Sequence, residues 1–398
     1  MAAPTTGHTH TPRVTETPVR RPRIPRPRVA VLGAGMIAGV HVRSARAAGA
    51  DVVGILASSP ERSRAAARDW QIDVAYPDVD TVLSDDRIDV VHICTPNHLH
   101  VSQARDALLA GKHVICEKPI ATSAAEAQLL ADTAMASGRI ATVPFVYRYH
   151  PMVRELRARV AAGGFGPWQL LHGSYLQDWL LPPGSTSWRV DPTVGGPSRA
   201  FADIGSHWFD LVEWVAGVRI AEVLAETATT VAERPDAAGP TFSGKPLAGS
   251  VRVPVTTEDA VAVLGRTTDG VLVSATVSQV SAGRKNRLWF ELDGADASAV
   301  FDQELPESLW LGYGNRTETL VRDPMSNSRE AARLSLVPAG HAQGYLECFE
   351  NFVKDTYAAL RGEAPDGLPT VLDGVRSARL VDAVLASADQ RVWTTVPG

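Results

Sequence analysis

The sequence is poor in cysteine and has no long apolar run. Its 398 residues include three cysteines, Cys94, Cys116 and Cys348, which are too few for a disulfide framework. Cys94 and Cys116 fall at the ends of apolar runs, which favours small buried side chains over reactive thiols. No stretch of about 18 apolar residues and no secretory pattern occurs. We therefore expect a cytoplasmic protein without a membrane partner.

An excess of charge of either sign is also missing. The net charge of −5 gives no electrostatic reason to expect nucleic acid as a partner. A composition of 45% apolar and 21% charged residues is ordinary for a globular protein, and 398 residues are too many for one simple core. Two domains that act on a small molecule are expected.

Residues 1–26 are rich in Pro, Thr and Arg and lack a repeating apolar pattern, which predicts a disordered tail. Arg20 and Arg21 resemble a twin-arginine signal, but the sequence continues into a strand rather than an apolar segment. We place a first domain at residues 27–147 and a second, for substrate binding and oligomerisation, at residues 148–398.

The first domain alternates short apolar runs with helical patterns. The predicted strands are VAVLG, DVVGIL, DVVHIC, KHVIC and IATVPFV, and segments with a 3.6-residue period lie between them. Runs that are apolar on both faces and separated by helices predict a parallel sheet covered on both sides. The fold class is therefore a doubly wound α/β domain followed by further structure.

The first turn, GAGMIA, fits the dinucleotide fingerprint G-x-G-x-x-G/A between a strand and a helix. Gly33 permits the tight turn, Gly35 lets the backbone approach the pyrophosphate, and Ala38 lets the helix pack close to the strand. The helix N-terminus then receives the pyrophosphate. The predicted contacts are Gly33, Gly35, Met36, Ile37 and Ala38.

The second strand ends in LASSPERS, where a carboxylate that binds the ribose 2′-hydroxyl of NAD is expected. Ala57 stands there instead, followed by Ser58, Ser59 and Arg62, and hydroxyls with a guanidinium suit the 2′-phosphate of NADP. The alternative is a helix N-cap at Ser59, and both can hold at once. NADP is favoured and NAD remains possible.

Two further strand ends border the same crevice, since ligands of open α/β sheets bind beyond the carboxyl ends of strands. CTPNHLH follows the fourth strand and offers Thr95, Pro96, Asn97 and His100 to the cofactor. His98 and His100 form an H-x-H pair, but without further ligands we expect a helix cap and no metal. The fifth strand ends in Glu117 and Lys118, which would emerge beside the nicotinamide.

These segments, with VPFVYRYHP, resemble the Gfo/Idh/MocA family, the glucose-fructose oxidoreductase and inositol dehydrogenase group. The resemblance covers most of residues 28–220, and the E-K-P tripeptide at 117–119 is its most specific part. It implies a Rossmann domain joined to an open, mostly antiparallel sheet. It also implies NAD(P)-dependent oxidation or reduction of sugars, polyols or their derivatives, and a homo-oligomer.

The downstream sequence agrees with an antiparallel sheet. Strand patterns separated by turns run from Trp168 to Gly314, with few long helices between them. The Gly- and Pro-rich segment ERPDAAGPTFSGKPLAGSVRVP, which begins at Glu233, is interpreted as a loop.

The segment FADIGSHWFDLVEWVAG predicts a helix that ends at Gly217. Asp203, His207 and Asp210 lie on one face of it, which from spacing alone is more typical of a solvated side. The resemblance implies instead that Asp203 and His207 are the catalytic acid and histidine of the D-x-G-x-H motif.

The expected chemistry is hydride transfer at a carbinol carbon. We predict that His207 exchanges the hydroxyl proton, that Asp203 orients its ring and that Lys118 holds the substrate oxygen. Whether lysine or histidine takes the proton stays open. Glu117 is a partner of the cofactor or of the lysine, or caps the following turn. The resemblance suggests a cis peptide before Pro119.

Substrate contacts are predicted from aromatic, amide and guanidinium side chains, which suit the faces and hydroxyls of a sugar. The residues are Tyr147, Arg148, Gln177, Trp179, Arg189 and His207. The alternative is that the tryptophans belong to the core. The combination of Q-D-W with S-W-R is similar to the levoglucosan dehydrogenase branch of the family, which acts on an anhydrosugar.

Two other functions remain possible. A tightly bound cofactor could oxidise a glycoside transiently so that its aglycone is eliminated, with no net production of NAD(P)H. A sensor could bind the dinucleotide without catalysis, although the presence of Lys118, Asp203 and His207 argues against this.

Overall fold

The computed structural model describes residues 26–236 and 251–398. The predicted disordered tail therefore lies outside the described residues, apart from Arg26, which pairs with Asp51 at 2.6 Å. Within the described ranges no helix is long and apolar enough to cross a membrane. The three cysteines are free and buried, in agreement with a structural role.

The first domain is built on one parallel sheet. Its strands are β1 (Arg28–Leu32), β2 (Asp51–Leu56), β3 (Val74–Ala75), β4 (Val90–Ile93), β5 (His113–Cys116) and β6 (Ala141–Thr142). They lie in the order β3-β2-β1-β4-β5-β6. The helices between them are α1 (Met36–Ala47), α2 (Pro60–Asp69), α3 (Val79–Ser84), α4 (His100–Leu109) and α5 (Ala124–Ser137). Helices cover both faces, so the doubly wound Rossmann prediction is confirmed.

Local signals fix where these helices begin and end. Ser59, Asp78 and Ser123 cap α2, α3 and α5 by accepting a backbone N–H. Helix α5 stops at Gly138, whose φ of +64° suits glycine. Only the two-residue strand β3 has no counterpart among the predicted apolar runs.

The second domain combines helices with a large sheet. Its helices are α6 (Pro151–Ala161), α7 (Pro192–Gly195), α8 (Ser206–Ala216), α9 (Arg329–Leu334), α10 (Tyr345–Leu360) and α11 (Val371–Gln390). Its strands are β7 (Trp168–Leu176), β8 (Ile220–Ala228), β9 (Glu233–Pro235), β10 (Arg252–Pro254), β11 (Ala260–Thr267), β12 (Leu272–Ser278), β13 (Arg287–Gly294), β14 (Ala297–Asp302), β15 (Ser308–Tyr313), β16 (Arg316–Val321) and β17 (Thr394–Thr395).

Nine of these strands form one open sheet in the order β16-β15-β14-β13-β7-β12-β11-β8-β17. The β7–β12 pair is parallel and the other pairs are antiparallel, so the prediction of an open, mostly antiparallel sheet is confirmed. Alternate residues of each central strand, such as Leu288, Phe290 and Leu292 of β13, face a core that α6 and α8 cover.

Two expectations about this half of the chain need correction. The segment from Glu233 is not wholly a loop, because its ends pair as the antiparallel strands β9 and β10, while residues 237–250 lie outside the described part. Helices α10 and α11 have no counterpart in the strand-dominated prediction. Cys348, Phe349 and Phe352 of α10 pack into the Rossmann core beside α1, so the chain returns to its first domain. The boundary at 147/148 stays a prediction.

The Gly33 turn yields a test of the fold. Gly33 has a φ of +106°, and an added Cβ would lie 2.5 Å from the carbonyl oxygen of Cys94. Gly33→Ala is expected to lower the free energy of unfolding by about 2 kcal/mol or more, because strain and a backbone clash add. Urea denaturation followed by circular dichroism measures this.

The control is Gly35→Ala, since a Cβ on Gly35 meets no atom within 4 Å. It should unfold like the wild type within about 0.5 kcal/mol. Equal losses in both variants would contradict the assignment of Gly33 as the conformational constraint.

Candidate active site

The candidate site lies where the carboxyl ends of β1, β4 and β5 meet. The strand order reverses between β1 and β4, and ligands of open α/β sheets bind at such a switch point. The turn after β1 carries Gly33 and Gly35, and β5 runs directly into Glu117 and Lys118. The second domain brings Asp203 to the same place, because Lys118 bonds to it.

The glycine turn is shaped to receive a dinucleotide. The N–H of Gly33 donates to the Leu56 carbonyl at 2.7 Å and ties the turn to β2. Gly35 begins α1 without a side-chain cap, and its missing Cβ leaves open space above the helix N-terminus. Met36 is exposed and Ala38 is buried against the sheet. The residues present therefore fit a bound NAD(P), with the pyrophosphate at this turn.

The end of β2 supports both interpretations made from the sequence. Ser59 caps α2 by accepting the N–H of Arg62 at 3.3 Å. The Arg62 guanidinium also donates to the hydroxyl of exposed Ser58 at 2.9 Å. Ala57 presents no carboxylate at the strand end, so a hydroxyl and a cation stand together where the adenosine ribose is expected.

The loop after β4 is held mainly by other parts of the protein. Thr95 donates its hydroxyl to Gln103 at 2.7 Å, and the buried amide of Asn97 donates to the Gly195 carbonyl at 2.7 Å. The His100 ring is 1% exposed, and each of its nitrogens lies 2.8 Å from a backbone carbonyl oxygen, those of Pro119 and Thr95. The His100 side chain thus connects the end of β4 to the end of β5, and its contact with the cofactor stays a prediction.

Lys118 and Asp203 form the central contact of the site. The Lys118 ammonium donates to Asp203 Oδ1 at 2.8 Å and to the Asp203 carbonyl at 2.9 Å. Gln279 donates to Asp203 Oδ2 at 2.8 Å, and Arg189 Nε lies 3.5 Å from Oδ1. Burial raises the pKa of Asp203, but the charges of Lys118 and Arg189 outweigh it and hold that pKa well below its ordinary value. Asp203 is therefore ionised.

Asp203 occupies a π-helical turn, Phe201–Gly205, directly before α8. Wider turns of this kind are frequent at functional sites and shift the residues before them relative to the helix that follows. Here the turn lets Asp203 reach Lys118 while His207 stays in the first turn of α8. The prediction of a helix over this segment is confirmed, with this local change.

His207 is 7% exposed and lies against the rings of Phe145 and Tyr147, at centroid distances of 5.7 and 4.9 Å. Its Nδ1 is buried and has no hydrogen-bond partner among the described residues. No hydrogen bond joins Asp203 to this ring among the described residues, because the Asp203 oxygens bond to Lys118 and Gln279, and its orientation by Asp203 stays a prediction. Burial, and then the charge of Lys118, lower the pKa of His207 well below 6.5.

A network of hydrogen bonds holds Tyr147, whose ring packs against that of His207. The hydroxyls of Tyr147 and Tyr175 lie 2.7 Å apart, and Tyr175 donates to Asn286 Oδ1 at 2.7 Å. Gln177 donates to the same oxygen at 2.8 Å and accepts the indole N–H of Trp179 at 2.8 Å. The hydroxyl of Tyr147 is thus engaged within the protein, and Tyr147 contacts His207 through its ring.

Arg148 does not join this group. Its guanidinium binds Asp210 and Asp373, the latter at 2.7 Å, and lines a separate cavity of about 260 Å³ with Glu213 and Trp214. The structure does not bring the Arg148 guanidinium to Lys118 and His207, because two carboxylates hold it at this separate cavity, and its substrate contact stays a prediction. Asp210, two turns along the helix from Asp203, belongs to that cavity as well.

Three polar residues of the site were missing from the sequence predictions, namely Gln279, Asn286 and Tyr175. A signal existed for Gln279, because Val273, Ala275 and Val277 alternate as buried residues of β12 and the same period of two carries on to 279. A glutamine at a core position needs a partner. Asn286 gives no comparable signal, since it precedes β13 in a turn.

No metal was predicted. Among the described residues, one group could hold a cation, His172 with Glu291 and Asp293 on the open face of the large sheet. Their side chains are partly exposed and the histidine lies 3.5 to 3.6 Å from the two carboxylates, as in a cross-strand ion pair. The H-x-H pair at 98 and 100 is not part of it.

A dinucleotide turn beside a buried lysine, carboxylate and histidine is typical of an NAD(P)-dependent oxidoreductase. Sequence comparison agrees: residues 27–145 match the model of an oxidoreductase family with an NAD-binding Rossmann fold, and residues 153–300 match that of the GFO/IDH/MocA C-terminal domain. The chain belongs to the Gfo/Idh/MocA family of oxidoreductases, which confirms the resemblance noted in its motifs.

Several characterised relatives match along nearly the whole chain. Levoglucosan dehydrogenase of Pseudarthrobacter phenanthrenivorans is 31% identical over 86% of this chain and 89% of that protein. A levoglucosan dehydrogenase in complex with NADH and L-sorbose superposes with a TM-score of 0.85 at 28% identity, covering 94% of this chain and 99% of the other. An inositol dehydrogenase homologue from Azotobacter vinelandii with NADH and myo-inositol gives 0.80 at 26%, over 94% and 98%.

The low pKa of His207 gives a pH prediction. As a base, the ring must be neutral, and lowering its pKa extends the neutral form to more acidic pH. We expect kcat/KM for alcohol oxidation to stay level down to pH 6.5 and to fall only below it. His207→Asn should lower kcat by about 10²- to 10⁴-fold. An acid limb centred above pH 6.5, lost in His207→Asn, would contradict the assigned environment of the ring.

Proposed function

We propose that the protein is a dehydrogenase or reductase that transfers hydride between NAD(P) and a secondary hydroxyl or ketone of a sugar, anhydrosugar or polyol. The observation that carries this proposal is the Lys118 ammonium, held by Asp203 at 2.8 Å beyond the end of β5 and beside the buried ring of His207. The same cleft begins at the glycine turn after β1. Substrate and cofactor would thus meet at one place.

Lys118 is suited to bind the reacting oxygen. An ammonium has three N–H donors, and two of them are used on Asp203. The third is available for the substrate oxygen, whose negative charge grows as the hydroxyl proton leaves. In this proposal Lys118, bonded to the Asp203 carboxylate, donates a hydrogen bond to the substrate oxygen, and His207 serves as the base.

His207 then exchanges the proton. Its pKa lies below the ordinary value, so the ring is neutral at pH 7 and Nε2 is the nitrogen that can accept the hydroxyl proton. Nδ1 carries the other hydrogen among the aromatic rings of Phe145 and Tyr147. When bound, the nicotinamide supplies or takes up the hydride. In reduction, the protonated ring returns the proton to the oxygen.

A hydroxylated ring is the substrate that these surroundings suit. Gln177, Trp179 and Arg189 join amide, indole and guanidinium groups around Asp203 and Asn286, and such groups bind the apolar face and hydroxyls of a sugar. The relatives that match along most of the chain include a levoglucosan dehydrogenase and an inositol dehydrogenase homologue. We therefore place pyranoses, 1,6-anhydrosugars and cyclitols first among the candidates.

Steady-state assays with such a panel, using NADP⁺ and NAD⁺ separately, test the function. We expect reduced cofactor to accumulate at 340 nm with at least one cyclic polyol, and Lys118→Met to lower kcat by about 10²-fold or more. Glycoside cleavage with retained cofactor and no net absorbance change would move the transient-oxidation mechanism to first place. Cofactor binding without any turnover would favour the sensor.

The residues that follow β2 determine whether NADP or NAD is preferred, because they lie where the adenosine ribose is expected. Related structures hold NADH or NAD⁺, which shows that the fold accepts the form without a 2′-phosphate. In this chain we propose a preference for NADP, supported by Ala57 in place of a carboxylate and by the contact between Ser58 and Arg62. Exposed Glu61 is adjacent, but it pairs with Arg64 at 2.9 Å.

Arg62→Ala tests this preference. Removal of the guanidinium is expected to raise the Kd of NADPH by about tenfold while that of NADH changes by less than about twofold. Fluorescence titration measures both. The matched control is Arg64→Ala, an exposed arginine of the same helix that pairs with Glu61. A wild type that binds NADH more tightly than NADPH would contradict the preference.

We also propose a homo-oligomer and a cytoplasmic location. Leu264, Leu272 and Trp310 are between 37% and 45% exposed on the uncovered face of the nine-stranded sheet, where a second copy would bury them. Three free, buried thiols support a reducing compartment.

A further inference from the structure

Four buried side chains form a continuous line behind the site. The hydroxyl of Tyr357 on α10 lies 3.0 Å from His92 Nε2 on β4. His92 Nδ1 lies 3.0 Å from His41 Nδ1 on α1, and His41 Nε2 lies 3.0 Å from Glu117 Oε1. The other Glu117 oxygen accepts the N–H of Lys118 at 3.2 Å. The line thus joins α10, β4 and α1 to the Glu117-Lys118 turn.

When both histidine rings are neutral, only one assignment of donors and acceptors gives every hydrogen in this line an acceptor. A carboxylate only accepts, so His41 Nε2 donates to Glu117 and His41 Nδ1 accepts. His92 Nδ1 must then donate, and His92 Nε2 accepts from the Tyr357 hydroxyl. In the reverse direction Glu117 is a neutral acid, and the hydroxyl hydrogen of Tyr357 has no acceptor among the described residues. Tyr357 therefore favours the direction in which Glu117 is ionised.

Electrostatics agree with this direction. Burial lowers the pKa of His92 well below its ordinary value, so that ring is neutral. Burial also raises the pKa of Glu117, but the hydrogen bond from His41 and the nearby charges, that of Lys118 among them, together outweigh burial and hold this pKa below the ordinary value. A carboxylate that is 7% exposed is costly without such a donor. The mechanism proposed for Lys118 and His207 makes no use of these side chains.

We propose that Tyr357, His92 and His41 are positioning residues that keep the Glu117 carboxylate ionised and aimed at the nicotinamide end of the cofactor cleft. This inference rests on the proposed function, which places the nicotinamide beside the Glu117-Lys118 turn. Oxidised nicotinamide carries a positive charge and the reduced form does not. A fixed carboxylate at this place stabilises bound NADP⁺ or NAD⁺ more than NADPH or NADH.

The test compares the affinities of the two redox forms in the absence of substrate. In His41→Leu, which removes the donor to Glu117, the Kd of NADP⁺ should rise by about tenfold and that of NADPH by less than about twofold. His41→Gln, whose amide can still donate, should restore most of the difference. Calorimetric titration gives both constants, with NAD⁺ and NADH used instead if the protein prefers them.

A second variant tests Tyr357, the residue of the line farthest from Glu117, with a smaller change in side-chain volume so that the protein still folds. Tyr357→Phe removes one oxygen atom and should shift the ratio of the two Kd values in the same direction, by about threefold. The control is Tyr149→Phe, since Tyr149 is equally buried, packs on Phe352 of α10 and has a hydroxyl without a partner among the described residues. It should leave the ratio unchanged.

If His41→Leu and Tyr357→Phe raise the Kd values of the oxidised and reduced cofactor equally, these residues have only a structural role and the inference is overturned. An unchanged ratio in both variants would do the same. If the wild type binds neither NADP(H) nor NAD(H), the proposed function itself fails, so the two failures are distinguishable.

Discussion

The ion pair between Lys118 and Asp203 is the contact on which the site depends. One partner ends a strand of the Rossmann sheet, and the other stands in the π-helical turn before α8, so neither domain contains the site by itself. Both side chains are 15% exposed, and a pair so buried is stable only when its remaining polar atoms are satisfied. Gln279 and the Asp203 carbonyl meet that condition.

Two buried polar networks adjoin the site, one next to Lys118 and the other next to His207. On the Rossmann side, the line from Tyr357 through two histidines ends at Glu117, next to Lys118 in sequence. On the sheet side, Tyr175 and Asn286 hold Tyr147 against the ring of His207. Networks of this kind define one geometry, because each lost partner would leave a buried polar group unpaired. The geometry of the site thus depends on these hydrogen bonds.

Much of the fold could be predicted because periodicity is a local property. The apolar runs of β1, β2, β4 and β5 and the glycine turn after β1 were recognisable from the sequence alone. Strands β3 and β16 were not, since one has two residues and the other, Arg316–Val321, is mostly exposed and carries no apolar alternation. The predicted run at 140–146 is a strand only at Ala141–Thr142, because Pro144 lacks an N–H for the ladder and a turn begins at Val146.

The site could be predicted only where motifs mark it. Lys118, Asp203 and His207 stand in recognisable tripeptide and D-x-G-x-H patterns, and the structure brings them together. The partners could not be assigned, because a hydrogen bond between distant elements has no signature in sequence. Asp203 thus bonds to Lys118 and Gln279 instead of His207, and Arg148 pairs with carboxylates on another face. His41, His92 and Tyr357 lie 51 and 265 residues apart along the chain and meet only after folding.

A crystal structure of the complex with NADPH tests the central claim most directly. The account predicts that the pyrophosphate lies on the turn at Gly33 and Gly35 and that the nicotinamide lies between the Glu117-Lys118 turn and His207. Lys118 should remain paired with Asp203. A nicotinamide bound away from these side chains, or a Lys118 that turns from Asp203 when the cofactor binds, would contradict it.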